Sequence, residues 1–334
     1  MSKVFYFMDW PVRYNNFVKK SAIGVDIGGT SVKLGLVSLE GRVLYRETFL
    51  TASAQGSQAM LHLLASRLVG LIRRAKTMRV NVRGIGIGAP GPIDVKRGLV
   101  YFFPNIPGWK NTPLRAFLEG RLKLPVWIDN DASVMALAEF RFGAGRKTKN
   151  MIALTLGTGV GGGIILDGKL FHGVSYSAAE IGHIVLNENG PRCGCGSRGC
   201  IETYVGNGYF ARAVKKHLKA GRKGLLNRWV FKDGKELTPL LVWQAAKAND
   251  PLALEMWRKT GAHLGTALAG LVNILNPERI VLGGGIAQNN KFLLSAAVRT
   301  IKKKAFPIAS HSVKVVPAAL GVDAGLIGAA ALTF

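Results

Sequence analysis

The chain of 334 residues is 48% hydrophobic and 19% charged, as expected of folded domains of ordinary size, and its formal net charge is +26. No apolar run approaches the ~18–20 residues needed to span a bilayer, which argues against a membrane protein. Asp9 and Pro11 interrupt the brief apolar patch near the N-terminus before a signal-peptide core could form, so a reducing cytoplasm is the expected location.

Positive charge is densest over Arg212–Lys235, where Asp233 is the only acid, and again over Arg73–Arg83. Such a surface attracts nucleic acid, polyphosphate or anionic lipid, so a polyanion contact is one expectation. No basic-plus-aromatic nucleic-acid motif accompanies it, and solvated helix faces explain it more simply.

Residues 1–20 read as an N-terminal extension. Ile23–Ile27 is then a compact apolar run, Gly28-Gly29-Thr30 turns the chain, Ser31–Ser38 continues as strand, and Glu40-Gly41 leads by a hairpin into Arg42–Leu50. Apolar residues at helical spacing predict a helix over Ser57–Ala75, followed by a strand at Gly84–Gly88 and a turn-rich loop at 89–94. The run LPVWI at 124–128 predicts a strand leading into Asp129-Asn130-Asp131, and Ala132–Phe142 a helix. Asp131 then has two readings. As a helix N-cap it is worth about 1 kcal/mol. As a general base at a strand end it governs turnover by roughly 10²–10⁴.

The opening pattern occurs a second time from Met151: apolar strand, Gly-Thr-Gly turn, strand, Asp-Gly hairpin, strand. Placing Ile152 on Ile23 puts Gly157-Thr158-Gly159 on Gly28-Gly29-Thr30 and Thr155 on Asp26. Two related lobes facing each other are expected, each offering backbone N–H groups to a phosphate-bearing ligand. Only the first copy carries a carboxylate, which suits a single magnesium ion. Gly157, Gly159 and Gly162 also match the dinucleotide fingerprint, but a strand follows where that motif needs a helix. No phosphate loop of the form G-x-x-x-x-G-K-[ST] is present.

Cys193, Cys195 and Cys200, the only cysteines, lie within eight residues in a glycine-rich segment bounded by Glu180 and Glu202, with His183 ten residues upstream of the first. Three thiolates and an imidazole complete a tetrahedral structural zinc site. A redox disulfide is the alternative, and it would leave one thiol unpaired. Helices are predicted over Tyr209–Lys219, over Thr238–Asn249 with Thr238 as N-cap, and through Pro251–Asn276. The basic stretch after the first of these is loop-rich. Arg279–Leu282 reads as a buried strand ending in Gly283-Gly284-Gly285, and Gly321–Leu332 as a small-residue helix.

DIGGT at 26–30, GAPGPID at 88–94, PNIPGW at 104–109, DNDA at 129–132, LGTGVGGG at 156–163, EIGH at 180–183, CGCGSRGCIE at 193–202 and LGGG at 282–285 resemble the ROK family of repressors, open reading frames and kinases. The resemblance runs from about residue 22 to the C-terminus. It implies an α/β, two-lobed actin-like ATPase fold, ribonuclease-H-like, with duplicated glycine-turn units and a zinc-binding loop. The lobes are expected at 21–130 and 131–319, with the zinc loop at 183–200 and a C-terminal helix over 320–334 packing back on the small lobe.

Sugar kinases of that family move the ATP γ-phosphoryl group to a sugar hydroxyl. By motif, Asp131 corresponds to the catalytic base, and Asn105, Asn130, Glu180, His183 and Glu202 join it as sugar ligands. His183, Cys193, Cys195 and Cys200 correspond to the zinc ligands. Asp26, Gly28, Gly29, Thr30, Gly157, Thr158 and Gly159 fall at phosphate and Mg²⁺ positions, and Gly284 and Gly285 on the adenosine side. Ser133 departs from an asparagine common in relatives, and Lys33 sits one place late for the family's basic residue, so it receives no role. The loop at 104–109 resembles the glucokinases, making glucose the first expected acceptor, ahead of mannose, N-acetylglucosamine, N-acetylmannosamine and fructose. Polyphosphate is an alternative donor suggested by charge. A sugar-responsive repressor is the competing class; the twenty residues before DIGGT are too few for a winged helix-turn-helix. A dimer or tetramer is the expected assembly.

Overall fold

Two five-stranded sheets with the same strand order organise the computed structural model, which describes residues 19–53, 56–103, 108–288 and 290–334. The N-terminal extension lies almost wholly outside the described residues. The first half runs β1 (Lys19–Ile27), β2 (Ser31–Ser38), β3 (Val43–Leu50), α1 (Gly56–Thr77), β4 (Val80–Ala89), a small hairpin β5 (Ile93–Asp94) and β6 (Leu99–Val100), α2 (Leu114–Leu122) and β7 (Val126–Asn130). After α3 (Asp131–Phe142) come β8 (Met151–Leu156), β9 (Val160–Leu166), β10 (Lys169–Leu170), α4 (Glu202–Val205), α5 (Asn207–Lys219), α6 (Leu225–Phe231), α7 (Pro239–Lys247) and α8 (Pro251–Leu275). The chain closes with β11 (Arg279–Gly283), α9 (Lys291–Lys304), α10 (Pro307–Ser312), β12 (Lys314–Pro317) and α11 (Ala324–Ala331).

The sheet orders are β3-β2-β1-β4-β7 and β10-β9-β8-β11-β12. In each, an antiparallel meander is followed by two strands parallel to its first member. Asp26 pairs with Gly88 and Thr155 with Gly283, so the duplication inferred from the glycine turns holds at the level of register. Parallel strands need both faces covered, which explains the near-continuous burial of β4 and β8.

One core joins the first sheet to α1 and α2 through Ile23, Leu34, Ile85, Leu64, Leu68, Leu114 and Leu118. A larger one joins the second sheet to α5, α7, α8 and α9, where Phe210 stacks on Trp257 with ring centroids 4.3 Å apart. Helix α11 lies directly on the first sheet: a β-carbon at Gly24 or Gly86 would run into the Leu326 or Ala329 carbonyl. Glu139, fully buried in α3, fastens the approach to α11 by accepting N–H bonds from Ala144, Ala319 and Leu320.

Thr238 caps α7, its Oγ1 accepting the Leu241 N–H at 3.2 Å ahead of Pro239. Thr238→Ala is expected to cost about 1 kcal/mol, read as a lowered denaturation midpoint with unchanged denaturant slope. The basic stretch is less loop-like than the sequence suggests, since α6 forms within it. That helix buries only Leu226, which leaves almost no periodic signal to find.

Candidate active site

The strand β7 delivers Asp129, Asn130 and Asp131 to the point where the chain leaves the first sheet. Asn130, not Asp131, is the N-cap of α3: it holds extended backbone (φ −64°, ψ 146°), and its Oδ1 accepts N–H bonds from Ala132 at 2.9 Å and Ser133 at 3.4 Å. Its Nδ2 donates to the Gly91 carbonyl at 3.3 Å, which leaves one amide hydrogen for a ligand. Asp131 is thereby free of capping duty. Its Oδ1 accepts the Ala132 N–H at 2.8 Å, and its side chain is open to solvent.

Although solvent reaches the side chain, the protein packed around it displaces much of the bulk water and pushes the Asp131 carboxyl up to about 6. The Ala132 N–H resists the rise, while the neighbouring charges of Asp26 and Glu180 add to it. Asp131 thus lies within the electrostatic reach of two further carboxylates, one from β1 and one from the loop before His183. Burial raises the Asp26 carboxyl as well, and Lys33, with Nζ 3.8 Å away, holds it back. The same Nζ donates to the Val322 carbonyl at 3.0 Å. Lys33, which motif comparison leaves without a role, thus stands beside the candidate site carboxylate Asp26. Its place directly across the hairpin from Asp26 was the signal available.

Both glycine turns are pinned from behind and open in front. Gly28 N–H bonds the Ser31 carbonyl at 2.9 Å, Thr51 Oγ1 donates to the Gly28 carbonyl at 2.7 Å, and Gly29 and Thr30 are exposed. In the second turn Gly157 N–H bonds the Gly159 carbonyl at 3.0 Å, leaving Thr158 exposed. Glu202 braces it, Oε2 accepting the Val160 N–H at 3.0 Å. Beside it, Gly284 has φ +85° and its Cα faces the Leu156 carbonyl, a position no other residue fits without strain. Next to Gly285 is a cavity of about 240 Å³ lined by Leu240, Trp243, Trp257 and Ile286. The Trp257 indole N–H is buried there with no protein partner.

His183, Cys193, Cys195 and Cys200 converge so that their ligand atoms all lie within 4.8 Å of one another. Cys195 and Cys200 sulfurs are 3.8 Å apart, and Cys193 Sγ is 3.6 Å from His183 Nδ1. Sulfurs at ~2.3 Å from a tetrahedral zinc are separated by about 3.8 Å, so the set fits the ion. The chemistry agrees: burial pushes the Cys193 thiol up to about 12, and three thiols this close stay ionised only with a cation between them. His183 turns Nδ1 to the sulfurs while Nε2 lies 4.0 Å from Glu180 Oε2, so one ring joins the cysteine loop to the carboxylate cluster.

The structure brings together Asp26, Asp131 and Glu180, sets His183 beside Glu180, and sets Glu202 under the second turn; Asn105 lies outside the described residues. It also shows a pair that no spacing announced. His172 Nε2 lies 2.7 Å from Oδ2 of Asp129, which is 2% exposed, and this contact raises the imidazole's proton affinity against the opposing effect of burial.

Duplicated sheets, paired glycine turns and a Cys₃His loop define the class: a two-lobed actin-like ATPase fold with a zinc-binding loop. A profile of the ROK family matches residues 22–334, and the chain belongs to that family. It is 38% identical over 307 residues to a glucokinase of Halalkalibacterium halodurans, covering 92% of each chain. Among solved structures it is similar to a ROK family glucokinase from Streptomyces griseus in complex with glucose and AMPPNP, at 34% identity and a TM-score of 0.77, covering 93% of this chain and 98% of that one. It is also similar to a ROK family transcriptional regulator, a homologue of the Escherichia coli Mlc protein, at 28% identity and a TM-score of 0.87, covering 96% of this chain and 78% of that one.

Proposed function

We propose that the protein phosphorylates glucose on its 6-hydroxyl at the expense of ATP. The observation that carries this reading is the solvent-open Asp131 carboxylate, released from capping by Asn130 and raised to about 6 beside Asp26 and Glu180. A base needs that combination of access and proton affinity near working pH. In this reading Asp131 takes the hydroxyl proton, and Glu180, His183, Glu202, Asn130 and Asn105 fix the sugar. The turns Gly28–Thr30 and Gly157–Gly159 receive the phosphates through their exposed members Gly29, Thr30 and Thr158, with Gly28 and Gly157 holding the turns from behind, and Gly284 and Gly285 border the adenosine. Asp26 supplies the carboxylate oxygen suited to magnesium, which would neutralise phosphate charge in the transfer. Zinc held by His183 and the three cysteines would fix the loop and present the His183 Nε2–H as a rigid donor.

The glucokinase relatives and the glucose complex of the Streptomyces griseus enzyme support the acceptor. The fold likeness to a regulator supports a second reading, a sugar-responsive regulatory protein. ADP release coupled to a hexose panel separates the two. Glucose-dependent release is expected, and its kcat/KM should bend near pH 6 and fall about tenfold per unit below it, because protonated Asp131 accepts no proton. A profile flat from pH 5 to 8 would remove Asp131 from the role.

A further inference from the structure

We propose that His172 and Asp129 form a positioning pair that fixes the loop carrying Glu180 and thereby governs sugar affinity. The inference rests on the sugar-binding reading of Glu180 and deepens it.

Asp129 is the penultimate residue of β7, directly before the Asn130–Asp131 pair. Its Oδ1 accepts the Asn130 N–H at 2.7 Å, and its Oδ2 takes His172 Nε2 at 2.7 Å. Against a carboxylate that nitrogen must carry the proton. One buried carboxylate therefore touches both halves of the molecule. It steers the turn into α3 on the first sheet and holds the loop that leaves β10 on the second.

That loop ends at Glu180. The His172 carbonyl accepts the Ala178 N–H at 3.0 Å, closing it on itself, and the His172 ring sits against Tyr176 with centroids 6.1 Å apart. Tyr176 and Ala179 hold φ of +59° and +68°, conformations that side-chain-bearing residues adopt only when their surroundings impose them. At the far end Ala179 lies against Gly162, where a β-carbon would meet its carbonyl at 2.5 Å. The loop is thus held at two points, Gly162 beneath Ala179 and Asp129 beneath His172. Losing the second anchor lets the strained backbone before Glu180 relax, and leaves the Asp129 carboxylate buried without its partner.

The test is a cycle on glucose affinity measured by calorimetry, a readout independent of phosphoryl transfer. His172→Ala is expected to weaken glucose binding roughly tenfold to a hundredfold, the scale of a displaced positioning group. His172→Gln, whose amide can still donate to Asp129, should recover most of the loss. In a Glu180→Gln background the His172→Ala penalty should shrink to less than about twofold, since the pair acts through Glu180. Nucleotide affinity should stay unchanged throughout. A glucose affinity within twofold of the parent in His172→Ala, or a penalty undiminished without Glu180, overturns the proposal. A parent protein that binds glucose without phosphorylating it overturns only the kinase reading, and the cycle still decides the pair.

Discussion

Asp131→Asn is expected to lower glucose turnover by roughly 10²–10⁴ while leaving glucose and nucleotide affinities within a few-fold of the parent. The split follows from geometry. Asn130 carries the cap of α3 through its own Oδ1, so exchanging a carboxylate for an amide at 131 leaves the helix start intact. An amide keeps the polar surface and shape but cannot take a proton. A loss of stability with turnover preserved would identify Asp131 as a structural residue. Steady-state kinetics beside a denaturation curve reads both outcomes from one preparation.

Removing the metal is the second large effect. One zinc per chain is expected, and Cys200→Ala should abolish its retention, because Cys200 is wholly buried and its loss leaves only three of the four ligands. Zinc binding to ligand sets of this kind supplies on the order of 10 kcal/mol of apparent ordering free energy. The segment 183–200 is too polar and glycine-rich to replace that by burial. The loop should become sensitive to protease while both sheets persist. Glucose affinity should fall roughly 10–100-fold as His183 loses its fixed ring. Elemental analysis with limited proteolysis checks this, and a metal-free chain with unaltered loop and glucose affinity would contradict it.

The architecture was legible because its signals are local. Apolar runs broken by Gly28-Gly29-Thr30 and Gly157-Thr158-Gly159 announce strand, turn and strand twice, and the sheets carry the same order. The cysteine spacing announces convergence for the same reason. What escaped is what tertiary contact alone creates. His172 and Asp129 stand 43 residues apart with no spacing rule between them. The cap was ambiguous because Asn130 and Asp131 are adjacent cap formers, and only backbone dihedrals choose between them. Lys33 was hidden by comparison with a neighbouring position, although strand register sets it opposite Asp26.

The most direct measurement is phosphorus NMR of the protein mixed with glucose and magnesium ATP, run beside Asp131→Asn. The expected result is a growing sugar-phosphate resonance matched by ADP, nearly absent with the carboxamide. Glucose bound with no sugar phosphate formed would contradict a base at residue 131 and leave a sugar-sensing protein in its place.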